Sequence, residues 1–240
     1  VRRHSGPRII PWGAVACVVA SLIVAGGWYL MRSGPRVLDE HRVVGTVCQN
    51  RTSDTTLAPF GDMAADWTAT ELARTGLVDV VDSRAVIGSG NDLGPNATTR
   101  EVASHMRALA RSVGAGIVVW GNYYRRGDTL EFHAQVTDVR DGALLREVPP
   151  ILASVTNPVG GVQQLGERIM GALATVENPR LSEWANHGGT PPSYGAYREF
   201  VDGLEAQVRM DQATALVHYS RARALDSTFL QPLLFGADAA

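Results

Sequence analysis

The chain has 240 residues, of which 45% are hydrophobic and 19% are charged, and its formal net charge is −2. The composition is ordinary for a folded protein, and the nearly balanced charge excludes the basic surface typical of nucleic-acid-binding proteins. The two cysteines, Cys17 and Cys48, imply no disulfide framework.

An uncharged apolar run, Ile9–Met31, dominates the N-terminal part of the chain. As an α-helix it would be about 34 Å long, slightly more than the ~30 Å hydrocarbon core of a bilayer. Trp12 near one end, and Trp28 and Tyr29 near the other, suit the two aromatic belts of a membrane. A buried core helix is the alternative, but such helices usually carry a polar stripe, which this run lacks. The sequence predicts a transmembrane helix within residues 1–35.

The orientation of this helix follows only weakly from charge, because arginines flank the run on both sides. A cleaved signal peptide is the competing interpretation, but its apolar core is usually shorter, about 7–15 residues. We therefore expect an uncleaved single-pass anchor in the inner (cytoplasmic) membrane, with the soluble body on the periplasmic side.

Beyond Pro35 the pattern alternates between strands and helices. This order predicts an α/β sandwich over residues 36–178, in which helices pack on one mixed sheet. The prolines Pro149 and Pro150 mark either the end of the last strand or an edge of the sheet. The predicted strands are 43–47, 78–81, 117–124, 130–139 and 144–151, and the predicted helices are 57–75, 98–113 and 159–176.

A series of glycines and aspartates punctuates residues 111–145, where a helix, a strand, a tight turn, a second strand and a further turn follow one another. In this pattern the chain resembles the TolB amino-terminal-like domain, over roughly residues 42–177. The first strand departs from that family, which usually has Leu-Pro-Phe where this chain has Val47-Cys48-Gln49. The residues that carry the resemblance are Gly114, Gly121, Gly127, Asp128, Asp138 and Gly142.

The tail, residues 190–240, resembles a tetratricopeptide repeat. Small and aromatic residues stand at the offsets of 12, 4 and 3 that characterise the repeat, at Gly203, Ala215, Tyr219 and Ala222. A simple helical hairpin is the alternative. Because one repeat cannot bury its own apolar face, we expect further repeats after Ala240, and the chain to be a fragment.

Anchor, TolB-like domain and repeat together resemble part of certain bacterial membrane-bound signalling proteins. In these proteins a serine/threonine kinase or a winged-helix DNA-binding domain precedes the anchor. This chain has no Gly-rich phosphate loop, no His-Arg-Asp and no Asp-Phe-Gly.

No catalytic, cofactor-binding or metal-ligating residue is predicted. The glycine-rich segment 88–94 misses the dinucleotide fingerprint, and the histidines show neither i, i+4 pairing nor a nearby cysteine. Arg125 and Arg126, at a predicted hairpin tip, could contact an acidic partner or lipid headgroups, or simply be solvated.

Three hypotheses follow. The first is a membrane-anchored, non-enzymatic interaction and signal-sensing module that binds a protein or peptide through the α/β domain and the repeat. The second is the extracytoplasmic part of a receptor-type serine/threonine kinase whose catalytic domain lies upstream. The third is a small-molecule site at the strand ends near residues 88–96. The sequence leaves open whether the body forms a homo-oligomer.

Overall fold

A computed structural model describes residues 37–81, 97–178, 181 and 189–238. The predicted membrane helix Ile9–Met31, with its interfacial Trp12, Trp28 and Tyr29, lies outside these residues, as does the segment 88–96. Within the described ranges, no helix is long and apolar enough to cross a bilayer. The chain from Leu38 onward forms one compact unit.

The described residues contain the predicted order of strands and helices, which is confirmed, with several boundaries extended. The first strand is much longer than predicted, and a short 3-10 turn, Thr55–Leu57, precedes the first helix. The elements are β1 Asp39–Asn50, α1 Pro59–Thr75, β2 Asp79–Val81, α2 Thr99–Val113, β3 Ala115–Arg126, β4 Thr129–Asp138, β5 Leu144–Ser154, α3 Val159–Glu177, α4 Tyr194–Val208, α5 Gln212–Leu225 and α6 Gln231–Asp238.

The five strands form one sheet in the order β2-β1-β3-β4-β5. β1 runs parallel to both β2 and β3, whereas β3, β4 and β5 form an antiparallel meander, so the sheet is mixed as predicted. β5 lies at an edge and contains Pro149 and Pro150 within its length. Of the two interpretations of these prolines, the edge strand is therefore correct.

Close backbone packing explains one glycine of the sheet, Gly121 in β3. A Cβ atom on Gly121 would lie 2.1 Å from the carbonyl oxygen of His133 on the neighbouring strand. Gly127 is required for a different reason: the β3–β4 turn needs a backbone φ of +61° at this position, which glycine adopts without strain. Both glycines are thus required by backbone geometry.

Helices cover both faces of the sheet. α1 and α3 pack on one face, where the core contains Val43, Phe132 and Ile169. α2 packs on the other face against β3, with Met106 and Val118 in that smaller core. The Thr98 hydroxyl accepts the N–H of Glu101 and the Glu101 carboxylate accepts the Thr98 N–H, a capping box that fixes the start of α2.

α4 and α5 pack against each other as a helical pair, and α4 also packs against α3. Their crossing is close because Gly203 faces the ring of Tyr219, and a Cβ there would lie 2.5 Å from Tyr219 Cε1. Asp211 caps α5 by accepting the N–H of Thr214 at 3.1 Å. The core of this pair also contains Phe200, Ala215, Ala222 and Phe229, together with Ala174 of α3.

Candidate functional site: the groove between α1 and α3

A concave surface lies between α1 and α3. We call it the α1–α3 groove. Its volume is about 490 Å³, within the usual ~300–1,000 Å³ range of ligand pockets. It is lined by Trp67, Thr68, Thr70 and Glu71 of α1 and by Val162, Gln163, Gly166, Glu167 and Met170 of α3.

Apolar side chains form two sides of the groove. Trp67 of α1 leaves 37% of its surface exposed, while Val162 and Met170 of α3 are buried beside it. An exposed indole beside a pocket is a large apolar contact surface with little conformational entropy to lose on binding. The groove is therefore suited to receive an apolar side chain.

Thr68 places an unpaired polar atom in this apolar setting. The side chain is only 1% exposed, and its Oγ1 has no hydrogen-bond partner among the described residues. The absence of a side chain on Gly166 opens the space opposite, since a Cβ there would be 3.7 Å from Thr68 Oγ1. A buried unpaired hydroxyl costs about 1–3 kcal/mol, which a ligand that hydrogen-bonds to it would recover.

Two glutamates give the groove an acidic rim. The Glu71 carboxylate accepts a hydrogen bond from Arg74 at 2.9 Å, and Glu167 accepts the backbone N–H of Gly195 at 3.2 Å. No arginine or histidine is among the lining residues. The rim consequently favours a neutral or cationic group next to whatever enters the groove.

A second, smaller pocket of about 290 Å³ lies on the part of the sheet that α2 leaves open. Its lining is polar and includes Asn122, His133, Gln135 and Glu147 beside Trp120. Trp120 Nε1 and Asn122 Oδ1 are buried without a hydrogen-bond partner in the described chain. This pocket lacks the apolar wall of the α1–α3 groove. The segment 88–96 of the small-molecule hypothesis lies outside the described residues.

The residues singled out from sequence lie elsewhere, at packing and turn positions. Gly114 ends α2, Gly127 and Asp128 form the β3–β4 turn, and Asp138 accepts the Arg140 N–H at 2.7 Å in the turn that contains Gly142. Gly203, Ala215, Tyr219 and Ala222 meet in the core between α4 and α5. Neither set lines the groove.

Sequence reasoning missed the groove because its two walls are about 100 residues apart. The sequence signals for the groove are Trp67 and Thr68 on α1 and the small Gly166 on α3. These residues indicate a site only once α1 and α3 are known to be neighbours.

Cys48 does not provide a reactive group. It lies in β1 against α1, and burial raises the pKa of its thiol to about 12. A thiol with such a pKa is almost entirely protonated at neutral pH and is a poor nucleophile.

No protein-family model matches the chain, and no curated protein matches it. Similar solved structures include the C-terminal domain of LpoB from Salmonella enterica, at 18% identity and a TM-score of 0.37, covering 51% of this chain and 87% of that one. Lipoprotein GNA1162 from Neisseria meningitidis has 20% identity and a TM-score of 0.36, covering 55% of this chain and 97% of that one. TolB from Acinetobacter baumannii has 21% identity and a TM-score of 0.33, covering 68% of this chain but 32% of that one. At these values the likenesses carry no inference about function.

Proposed function

We propose that this chain is a membrane-tethered, non-enzymatic interaction module whose α1–α3 groove binds an apolar side chain of a protein or peptide partner. The observation that carries the proposal is the buried, unpaired Thr68 hydroxyl at the base of an apolar groove. Most buried polar atoms in native proteins are hydrogen-bonded, and among the unpaired buried atoms of the described chain Thr68 Oγ1 is the one that lies at the apolar α1–α3 groove.

The partner that fits this groove is a peptide segment with one large apolar residue next to a basic one. The apolar side chain would contact Trp67 and Met170, and a backbone or side-chain group of the peptide would hydrogen-bond to Thr68 Oγ1. A neighbouring arginine or lysine would lie near Glu71 and Glu167, on the acidic rim. Of these features, the free protein leaves Trp67 partly exposed and Thr68 Oγ1 without a hydrogen-bond partner among the described residues.

Binding in the groove is a better-supported mode than pairing at the edges of the sheet. The edge strand β5 contains Pro149 and Pro150, which lack the N–H groups that an added strand would need. At the other edge of the described sheet, β2 comprises Asp79–Val81, and the described range ends at Val81. Strand addition, a common way for a sheet to bind peptides, is therefore disfavoured at β5.

A non-enzymatic role is consistent with the chemistry of the groove. Its two carboxylates already accept hydrogen bonds from Arg74 and from Gly195, and its lining contains no histidine, serine or cysteine. The buried Cys48 lies outside it, with a raised pKa. These residues do not form the nucleophile–base pair that acyl or phosphoryl transfer would require.

The remaining segments of the chain place this module in a membrane-bound protein in our proposal. We infer that Ile9–Met31 anchors the module in the inner membrane with its body in the periplasm, that residues 36–178 form the TolB-like domain, and that residues 190–240 belong to a tetratricopeptide-type array. An upstream serine/threonine kinase domain is the alternative setting. The coding sequence before Val1 tests it, since the absence of kinase motifs in frame would remove that setting.

Selection from a displayed peptide library against the full chain in detergent micelles tests the groove. We expect enrichment of sequences in which a large apolar residue neighbours Arg or Lys, and loss of that enrichment with Trp67→Ala. Val217→Ala is the matched control, because Val217 is an exposed apolar residue on α5, outside the groove. If enriched peptides bound Trp67→Ala as well as they bind the parent protein, the proposed site would be wrong.

A further inference from the structure

Three side chains with metal-binding chemistry meet on the outer surface of the α4–α5 pair. Glu199 and Asp202 project from α4, and His218 projects from α5. One ligand atom of each lies within 4.8 Å of the other two, and His218 Nδ1 is 2.8 Å from a Glu199 carboxylate oxygen. We call these three residues the α4–α5 cluster. It lies apart from the α1–α3 groove and shares no residue with it.

The close helix crossing at Gly203 brings the cluster together. Gly203 packs against Tyr219, and the residues immediately before each of them are Asp202 and His218. Glu199 precedes Asp202 by three positions, so that both carboxylates lie on the same side of α4. The same packing that fixes the helix pair therefore fixes the distance between the carboxylates and the imidazole.

The charge of the cluster is not balanced by basic side chains. Among the described residues, neither Glu199 nor Asp202 forms an ion pair with an arginine, and the Asp202 carboxylate accepts no side-chain hydrogen bond. Elsewhere on the surface carboxylates do pair with arginines, as Glu205 does with Arg209. Two carboxylates beside one imidazole leave a local negative charge that a cation would neutralise.

We propose that the α4–α5 cluster binds a divalent first-row transition-metal ion, with zinc as its simplest representative. One imidazole nitrogen and two carboxylate oxygens are ligands that Zn²⁺ accepts at about 2.0–2.2 Å, with water in the remaining position. Three ligand atoms within 4.8 Å of one another can reach one ion by small side-chain rotations. Mg²⁺ and Ca²⁺ prefer oxygen-only sites, so the histidine disfavours them.

The consequence for the protein is a crosslink between neighbouring helices. Since His218 comes from α5 and both carboxylates come from α4, the ion joins the two helices at the crossing point. Binding to the folded chain alone stabilises it by mass action. The stability of the α4–α5 pair therefore depends on the concentration of the ion.

Zinc titration of the full chain in detergent micelles, followed calorimetrically and by thermal unfolding, tests the proposal. We expect one saturable zinc site and a zinc-dependent rise in Tm, with little response to Mg²⁺. Asp202→Asn and His218→Gln should each weaken zinc binding at least ~10-fold, the lower end of what losing even an outer-shell partner costs a metal site. His133→Gln is the matched control, because His133 pairs with Glu131 at 3.1 Å but belongs to no three-ligand group among the described residues.

Two results would overturn the proposal. One is the absence of saturable zinc binding to a chain that unfolds cooperatively. The other is zinc binding that persists unchanged in the Asp202→Asn, His218→Gln double variant, which would place the ion at other residues. Cooperative unfolding of each variant without zinc separates loss of the site from loss of the fold.

Discussion

The Arg168 guanidinium on α3 donates a hydrogen bond to the carboxylate of Asp226, which follows α5 and is only 4% exposed. The same carboxylate oxygen accepts the Ser193 N–H at 2.9 Å, and the other oxygen accepts the backbone N–H and hydroxyl of Thr228. Arg168 also donates to the Pro191 carbonyl oxygen at 2.8 Å. An ion pair between the partly buried Arg168 and the buried Asp226 therefore connects α3 to the end of the α4–α5 pair.

Removing the arginine from this pair should destabilise the fold strongly. Arg168→Met leaves the Asp226 carboxylate buried without its counter-charge, and breaking a buried pair in this way costs about 3–5 kcal/mol. Urea unfolding of the full chain in micelles measures the loss. Glu205→Gln is the control, because the Glu205–Arg209 pair is 64% exposed at both ends and should contribute less than ~1 kcal/mol. Equal effects of the two substitutions would contradict this account.

Low pH should weaken the ion pair between Arg168 and Asp226. Burial alone would raise the pKa of Asp226, but hydrogen bonds from Thr228 and Ser193 and the charge of Arg168 outweigh burial and lower the pKa below its ordinary value. A group with a lowered pKa in the folded state contributes stability above its unfolded pKa of ~3.9, and that contribution is lost as the pH falls through the folded value. We expect the free energy of unfolding to fall more steeply below about pH 4 in the parent protein than in Asp226→Asn.

Gly203 should tolerate no side chain. In Gly203→Ala the new methyl group would overlap the Tyr219 ring, and overpacking of this kind costs about 1–3 kcal/mol. Gly195→Ala, in the same helix, is the matched control: its methyl group would lie 3.7 Å from Leu225 Cδ1, and alanine favours the helix by ~0.5–1 kcal/mol. In thermal unfolding, the Tm of Gly203→Ala should be lower than that of the parent protein, and the Tm of Gly195→Ala should be unchanged or higher. A Gly203→Ala protein as stable as the parent would show that the crossing is looser than described.

Cys48 should resist thiol reagents in the folded protein. Its thiol is buried and its pKa is about 12, so both access and thiolate concentration are low. The measurement is maleimide labelling in a Cys17→Ser background, which removes the other cysteine. Labelling should begin only at urea concentrations that unfold the domain. Rapid labelling without urea would mean that β1 and α1 separate readily.

The fold followed from sequence where local patterns determine it. The alternation in β4, the turn at Gly127 and the caps at Thr98 and Asp211 are each set by residues within a few positions of one another. Both long strands, β1 and β3, extend beyond their apolar cores because pairing with neighbours, not propensity, sets their ends.

The sites could not be found in the same way. Trp67 and Gly166 become neighbours through the packing of α1 on α3, and Asp202 and His218 through one close helix crossing. Each pair is separated by many residues, and no spacing rule for a single helix or strand connects its members. The chemistry of these surfaces depends on tertiary packing, which periodicity does not reveal.

The most direct test of the proposed interaction site is Thr68→Val, which removes the unpaired hydroxyl and nearly preserves the volume. Because Thr68 Oγ1 has no partner in the described chain, we expect the free protein to become no less stable. We expect the affinity for a groove-selected peptide to fall ~10-fold, the equivalent of one hydrogen bond of about 1–1.5 kcal/mol. A variant that lost stability but kept its peptide affinity would contradict the account, since the hydroxyl would then serve the fold rather than a partner.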